Sequence, residues 1–212
     1  MTELQDAVLV LGSMAEKAIV DAMAALRNAD EAASHRLIDE DLNINKKRFA
    51  IEDRAMFVVA SQQPMASDLR ALASILYVVT DLERIADHAE GIARINLMLG
   101  PEPTPRKLGY LPAMADRAVA MLRDSLKAYI DHDVDLARRT CDADDEVDRL
   151  QDTVYDEGIK AMMADGSTIQ RHTFLLWCAH NLERIADRTT NICERVVYVA
   201  TGHMEEIRGS HY

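Results

Sequence analysis

The six residues Leu82-Glu83-Arg84-Ile85-Ala86-Asp87 return as Leu182-Glu183-Arg184-Ile185-Ala186-Asp187, one hundred positions later in a chain of 212. Each copy sets a Glu and an Asp four residues apart. Around the first copy, Leu69, Leu72, Leu76, Val79, Glu83, Ala86, Ala93 and Leu97 recur at spacings of three and four. That is the period of one face of an α-helix, and Glu83 lies inside the apolar stripe. Around the second copy, Leu176, Ala179, Glu183, Ala186, Cys193 and Val197 repeat the pattern. Asp87 and Asp187 stand one turn further along the same faces.

The rest of the chain follows the same period, and no segment of useful length alternates with period two. The sequence predicts an all-α protein of six helices. The first covers about Leu4 to Asn28, and the second about Glu31 to Gln62. The third opens at Pro64 and ends near Leu99, where Gly100 stops it. The fourth spans about Leu111 to Ile130. Asp133 caps the fifth, which runs to about Ala164. A Ser167/Gln170 capping box opens the sixth, which ends before Gly202. GPEPTPRK, from Gly100 to Lys107, is the clearest linker.

Three helices precede that linker and three follow it. Leu11, Met14, Ala15 and Ala18 match Leu111, Met114, Ala115 and Ala118 at the same interval of one hundred. Asp30 and Asp41 match Asp133 and Asp144 with three residues more, and LERIAD returns to one hundred. Length changes confined to turns, with helices preserved, are the mark of a duplicated unit. The expected architecture is two pseudo-symmetric antiparallel three-helix bundles. Residues 1–100 form the first, 101–110 the linker, 111–202 the second and 203–212 a tail.

The second and fifth helices carry matching oxygen side chains. Asp41 lies in a stripe with Leu37, Ile44, Ile51, Ala55 and Val58, and Asn45 follows one turn later. Asp144 lies in a stripe with Val147, Val154 and Ala161, and Asp148 follows. Each half thus offers two helices with oxygens at i and i+4 beside a facing seam. Acids so placed repel, and burial raises the penalty. Protonation, arginine pairing or a bound cation can relieve it. Arg84 and Arg184 sit about 100° round the helix from Glu83 and Glu183, so they do not face the seam directly. Four oxygens from two helices suit a hard or borderline divalent metal. The alternative is that these acids belong to a solvated helix face. His180, three residues before Glu183, is a further candidate ligand, whereas His88 is matched by Arg188 and makes a poor shared ligand.

Composition narrows the function. Hydrophobic residues make up 49% and charged residues 28%, enough for a packed core. A net charge of −12 disfavours nucleic acid and bare anionic membranes as partners. No apolar run reaches the roughly 18 residues of a membrane span, and the N-terminal stretch lacks the basic region of a signal peptide. Cys141, Cys178 and Cys193 form no CxxC pair and read as reduced thiols. Together these point to a soluble, intracellular protein. No nucleotide-binding, zinc-protease or hydrolase motif is present.

DLNIN (41–45), QQPMASDLR (62–70), DLERIADHAEGIA (81–93) and NLERIADRTTNI (181–192) resemble the PhoU family, the phosphate-specific transport system accessory proteins of bacteria. The likeness runs from about Leu4 to Gly202. It implies two three-helix bundles and multinuclear metal clusters, iron or zinc, with manganese or magnesium as further options. The implied ligands are Asp41, Asn45, Glu83, Asp87, Asp144, Asp148, Glu183 and Asp187. Asn45 departs from the acid that the repeat predicts, which leaves the first site one negative charge fewer. The resemblance also implies a cytoplasmic homodimer without enzymatic activity. It would restrain phosphate uptake and starvation signalling together with the ATPase subunit of the phosphate ABC transporter and a sensor histidine kinase. Two other readings stay open. One is a carboxylate-bridged di-metal oxidase, although Ala86 and Ala186 stand where such a site places histidine. The other is a structural helical adaptor without metal. Direct phosphate sensing at a metal site is a further possibility.

Overall fold

The computed structural model describes residues 2–102, 104, 106–205 and 207; most of the expected tail lies outside them. The regular elements among the described residues are all helices, without a strand. The helices are α1 (Thr2–Asn28), α2 (Glu31–Gln62), α3 (Ser67–Leu99), α4 (Leu111–Asp131), α5 (Val134–Asp142), α6 (Asp144–Ala164) and α7 (Ile169–Thr201). A single 3-10 turn, Gly166–Thr168, precedes α7.

α1, α2 and α3 pack together as one three-helix bundle, and α4, α5–α6 and α7 as the second. The bundles meet where α3 lies along α7 and α1 meets α4. One continuous apolar core runs through both, with Leu11, Ile19, Ile75, Leu82 and Ile92 on one side and Leu111, Met114, Leu122, Ile185 and Val196 on the other. At the α1–α4 contact, Gly12 leaves room for Leu126, whose Cδ1 takes the space a Cβ would need.

The duplication is visible in the caps. Asp30 accepts from the Ala33 amide at 2.8 Å and opens α2. Its counterpart Asp133 accepts from the Leu136 amide at 2.9 Å and opens α5. Three expectations are corrected. The third helix begins at Ser67, because Ala66 takes a left-handed φ of 48° after the Pro64 turn. The fifth expected helix is two, separated at Ala143. Asp144, Asp145 and Glu146 crowd the first turn of α6, and acids favour such an N-terminus over a helix interior. The Ser167/Gln170 capping box does not form: Asp165 accepts from the Ser167 amide and hydroxyl instead.

The linker is anchored rather than loose. Arg106, whose side chain is fully buried, donates from Nη1 to the Leu26 carbonyl at 2.7 Å and to Asn96 Oδ1. Its Nη2 donates to the Gly100 carbonyl and its Nε to Glu102 at 3.0 Å. Asn96 in turn donates to the Asp30 carbonyl and to Ser34 Oγ, and Glu102 also binds Arg171 of α7 at 2.7 Å. One guanidinium therefore joins the ends of α1, α2 and α3 to the linker, and through Glu102 to the other bundle. Among the described residues no helix is long and apolar enough to cross a membrane.

Candidate functional site

Glu83 and Glu183 lie inside the packed seams, as their stripes require, each less than a tenth exposed. Asp87 and Asp187 are half-buried one turn on. In the first bundle α2 sets Asp41 and Asn45, both half-buried, opposite α3. Asn45 Nδ2 donates to Asp41 Oδ2 at 2.8 Å, so the departure from an acid has a local use. In the second bundle Asp144 is buried at the first turn of α6, and Asp148 stands at the solvent rim.

The carboxylates feel one another. Burial pushes Asp41 up to about 6, and repulsion from Asp87, Glu90 and Glu83 adds to it. Burial also raises Glu83, again helped by Asp87 and opposed by Arg48 and Arg84. In the second bundle Glu183 is raised by burial, with Arg184 opposing, and Asp148 is raised by burial and by Asp187. Glu90 is a member of the first cluster that the sequence reading missed. It stands seven residues after Glu83, on the same face, and is paired with Arg94 at 2.6 Å. The i, i+4, i+7 spacing of Glu83, Asp87 and Glu90 was the available signal.

The raised Asp41 gives a test. Its folded-state pKa exceeds its ordinary value, so the folded protein holds the proton more tightly than the unfolded chain. Stability is thus lost as pH rises through about 6. In the metal-free protein Asp41→Asn, which keeps an oxygen for Asn45, should raise the melting temperature at pH 7–8. The gain should vanish below about pH 4. Equal gains at both pH values would contradict this assignment.

Arginine supplies the compensation. Arg184 grips both oxygens of Glu183, Nε to Oε2 at 2.8 Å and Nη2 to Oε1 at 2.9 Å, while its Nη1 lies 2.9 Å from Asp187. Arg84 spans its own pair more loosely, with Nε 3.5 Å from Glu83 and Nη1 3.0 Å from Asp87. The long side chains wrap back over the helix, so the 100° offset does not keep them from the acids. Arg48 adds a distant contact to Glu83 at 3.9 Å, and His180 lies 3.7 Å from Glu183.

With the side chains so arranged, no group of three or more His, Cys, Asp or Glu among the described residues is set to hold a metal ion. The donor chemistry nevertheless fits one. Asp41 Oδ1 and Glu83 Oε2 are buried and accept no hydrogen bond, and hard oxygen donors on two facing helices are what a divalent cation takes. The ligands would be Asp41, Glu83 and Asp87, with Asn45, in the first bundle. In the second they would be Asp144, Asp148, Glu183 and Asp187.

His88 and Arg188 have another task. His88 Nδ1 lies 3.1 Å from Asn181 Oδ1 across the α3–α7 crossing, and burial lowers its pKa. At the pseudo-equivalent place Asp81 meets Arg188 at 3.5 Å and accepts from Asn191 at 3.2 Å. The cysteines are buried thiols, Cys178 pushed up to about 12 by burial.

The comparisons agree with this architecture. The crystal structure of PhoU from Pseudomonas aeruginosa superposes with a TM-score of 0.87 at 33% identity, over 95% of this chain and 97% of that one. That of the phosphate transport system regulatory protein PhoU from Streptococcus pneumoniae gives 0.88 at 33%, over 96% of each. A phosphate-specific transport system accessory protein PhoU homolog of Clostridium acetobutylicum is 37% identical over 98% of this chain and 95% of the relative. The Escherichia coli PhoU accessory protein is 33% identical over 95% and 84%. The profile of the PhoU domain matches twice, over residues 8–95 and 111–196, once on each copy of LERIAD and the helices that carry it. With both repeats matched and the fold shared over nearly its whole length, the chain belongs to the PhoU family.

Proposed function

We propose that this protein is a cytoplasmic, non-enzymatic regulator of phosphate uptake and of phosphate-starvation signalling. It acts with the phosphate ABC transporter, at its ATPase subunit, and with the sensor histidine kinase. The relatives' shared name as accessory proteins of phosphate transport supports the role. The observation that carries the metal-binding part is the pair of seam carboxylates, Glu83 and Glu183. They are buried at matched places of a duplicated unit, each with an Asp one turn on and oxygens of a second helix opposite.

A bound divalent ion would neutralise the facing acids and cross-link the two helices that carry them. The chain's own residues do the remainder. Asn45 orients Asp41 by its 2.8 Å hydrogen bond. The apolar seam around Glu83 keeps water from its Oε2. Arg84 and Arg184 hold the acids in place while no ion is present.

Two measurements test the reading. Elemental mass spectrometry of protein purified without chelator should find iron, zinc or manganese in stoichiometric amount. A Glu183→Ala/Asp187→Ala variant should lose the second bundle's share. No metal in the wild type, even after reconstitution, would remove that part of the proposal. Deleting the gene should derepress starvation genes and raise phosphate uptake in phosphate-rich medium. Unchanged expression and uptake would refute the regulatory role.

A further inference from the structure

α2 is an edge helix: among the described residues it packs only on α1 and α3. Its outer face carries Leu42, Phe49 and Met56, respectively 63%, 53% and 53% exposed. They are spaced by seven residues and so form a straight stripe about 21 Å long. Phe57, 66% exposed, widens it at one end.

The fold does not demand this stripe. In the second repeat the matching positions of α6 are Asp145, Asp152 and Ile159, two of them exposed acids. The same bundle is thus built with charge where α2 shows Leu42 and Phe49. An apolar row kept in one repeat and absent from its twin points to a contact made by α2 alone.

The charges beside the stripe say what it contacts. Arg48 and Arg54 on this helix are paired with Glu52 and Glu3. Lys46 and Asp53 are exposed and have no ion-pair partner among the described residues. They are also seven residues apart, so they lie on one flank of the stripe, three residues before Phe49 and four after it. Consider two such helices laid antiparallel about a two-fold axis at Phe49. Equal flanks then meet, Leu42 faces Met56 of the other copy, and Lys46 comes level with the other copy's Asp53. The face is complementary to itself in shape class and in charge.

We propose that the α2 face is a self-docking surface, and that two copies of this chain pair through it as an antiparallel, two-fold-related helix pair centred on Phe49. Arg48, which stacks over the Phe49 ring at 4.5 Å, lines the edge of that contact. Asn45 borders the stripe on the flank opposite Lys46 and Asp53, and the other candidate metal ligands lie further round α2 or on other helices; the pairing is argued from the stripe and its charges and not from a bound metal.

Sedimentation equilibrium of the full chain tests it. The wild type should be a dimer. Leu42→Asp/Phe49→Asp, which installs the residues of the second repeat, should weaken association by roughly 30-fold or more, as loss of a central aromatic contact does. Its far-ultraviolet circular dichroism should match the wild type. Lys46→Asp alone should also weaken the dimer, and adding Asp53→Lys should restore it. Lys46→Cys/Asp53→Cys, which keeps Phe49, should form an interchain disulfide between residues 46 and 53 on mild oxidation with oxidised glutathione. A monomeric wild type overturns the proposal and leaves the face to a different protein. A dimer that survives the acidic variant, ignores the charge swap or fails to cross-link between residues 46 and 53 uses another surface, and overturns it equally.

Discussion

Replacing Arg106 by alanine should lower the unfolding free energy by about 3–5 kcal/mol, the loss typical when one partner leaves a buried ionic network. The size follows from what the guanidinium satisfies. It binds the Leu26 and Gly100 carbonyls, Asn96 and Glu102, and none of its side chain reaches solvent. Without it, the Leu26 carbonyl at the end of α1 and Asn96 and the Gly100 carbonyl at the end of α3 lose their donor, and Asn96, which ties in α2, loses its anchor. For a chain of this size each kcal/mol is worth about 2–4 °C in melting temperature, so a fall of roughly 6–20 °C is expected in a thermal scan. Arg106→Lys should rescue little of it, because an ammonium cannot reproduce the planar fork. A shift of under about 2 °C for Arg106→Ala would mean that the linker is not held as described.

The second large effect concerns Arg184. Its three guanidinium nitrogens occupy both oxygens of Glu183 and one of Asp187. A metal ion drawing on those same oxygens must displace it. Arg184→Gln should therefore tighten zinc binding by about tenfold or more, about 1.4 kcal/mol in free energy. Titration against a chromophoric zinc chelator would read this directly. The metal-free variant should melt below the wild type, since Glu183 keeps its burial and loses its partner. Saturating zinc should recover more of that loss than it adds to the wild type, because a ligand stabilises only the state it binds. Unchanged or weaker zinc affinity in Arg184→Gln would show that arginine and metal do not compete. Glu183→Gln is the control that should lose affinity.

Much of this was legible in the sequence, for a physical reason. Burial of Glu83 and Glu183 follows from helix periodicity alone, since a residue inside a 3–4 stripe must face the core. The caps Asp30 and Asp133 were equally local. Features that depend on side-chain reach or on distant elements were not. Arg84 and Arg184 start 100° away from the acids, and only their length closes the gap. Arg106 sits among Pro and Gly residues that mark a linker, and nothing near it in sequence announces the buried carbonyls it meets. The break at Ala143 had a signal in the three acids that follow it, which suit a helix start. The mismatch of His88 with Arg188 made sense only once their partners across α3 and α7 were known.

That crossing has a consequence for the history of the chain. Asp81 looks to Arg188 and Asn191, while Asn181 looks to His88 and lies against Gly91, where even a Cβ would come within 2.9 Å of its amide oxygen. The two repeats have become lock and key instead of copies. Two second repeats set face to face would press Asn181 into Asn191, with no glycine to make room. Two first repeats would leave Asp81 without its arginine. Each repeat is complementary to its twin and not to itself, so exchanging one for the other would cost the contacts that join the bundles.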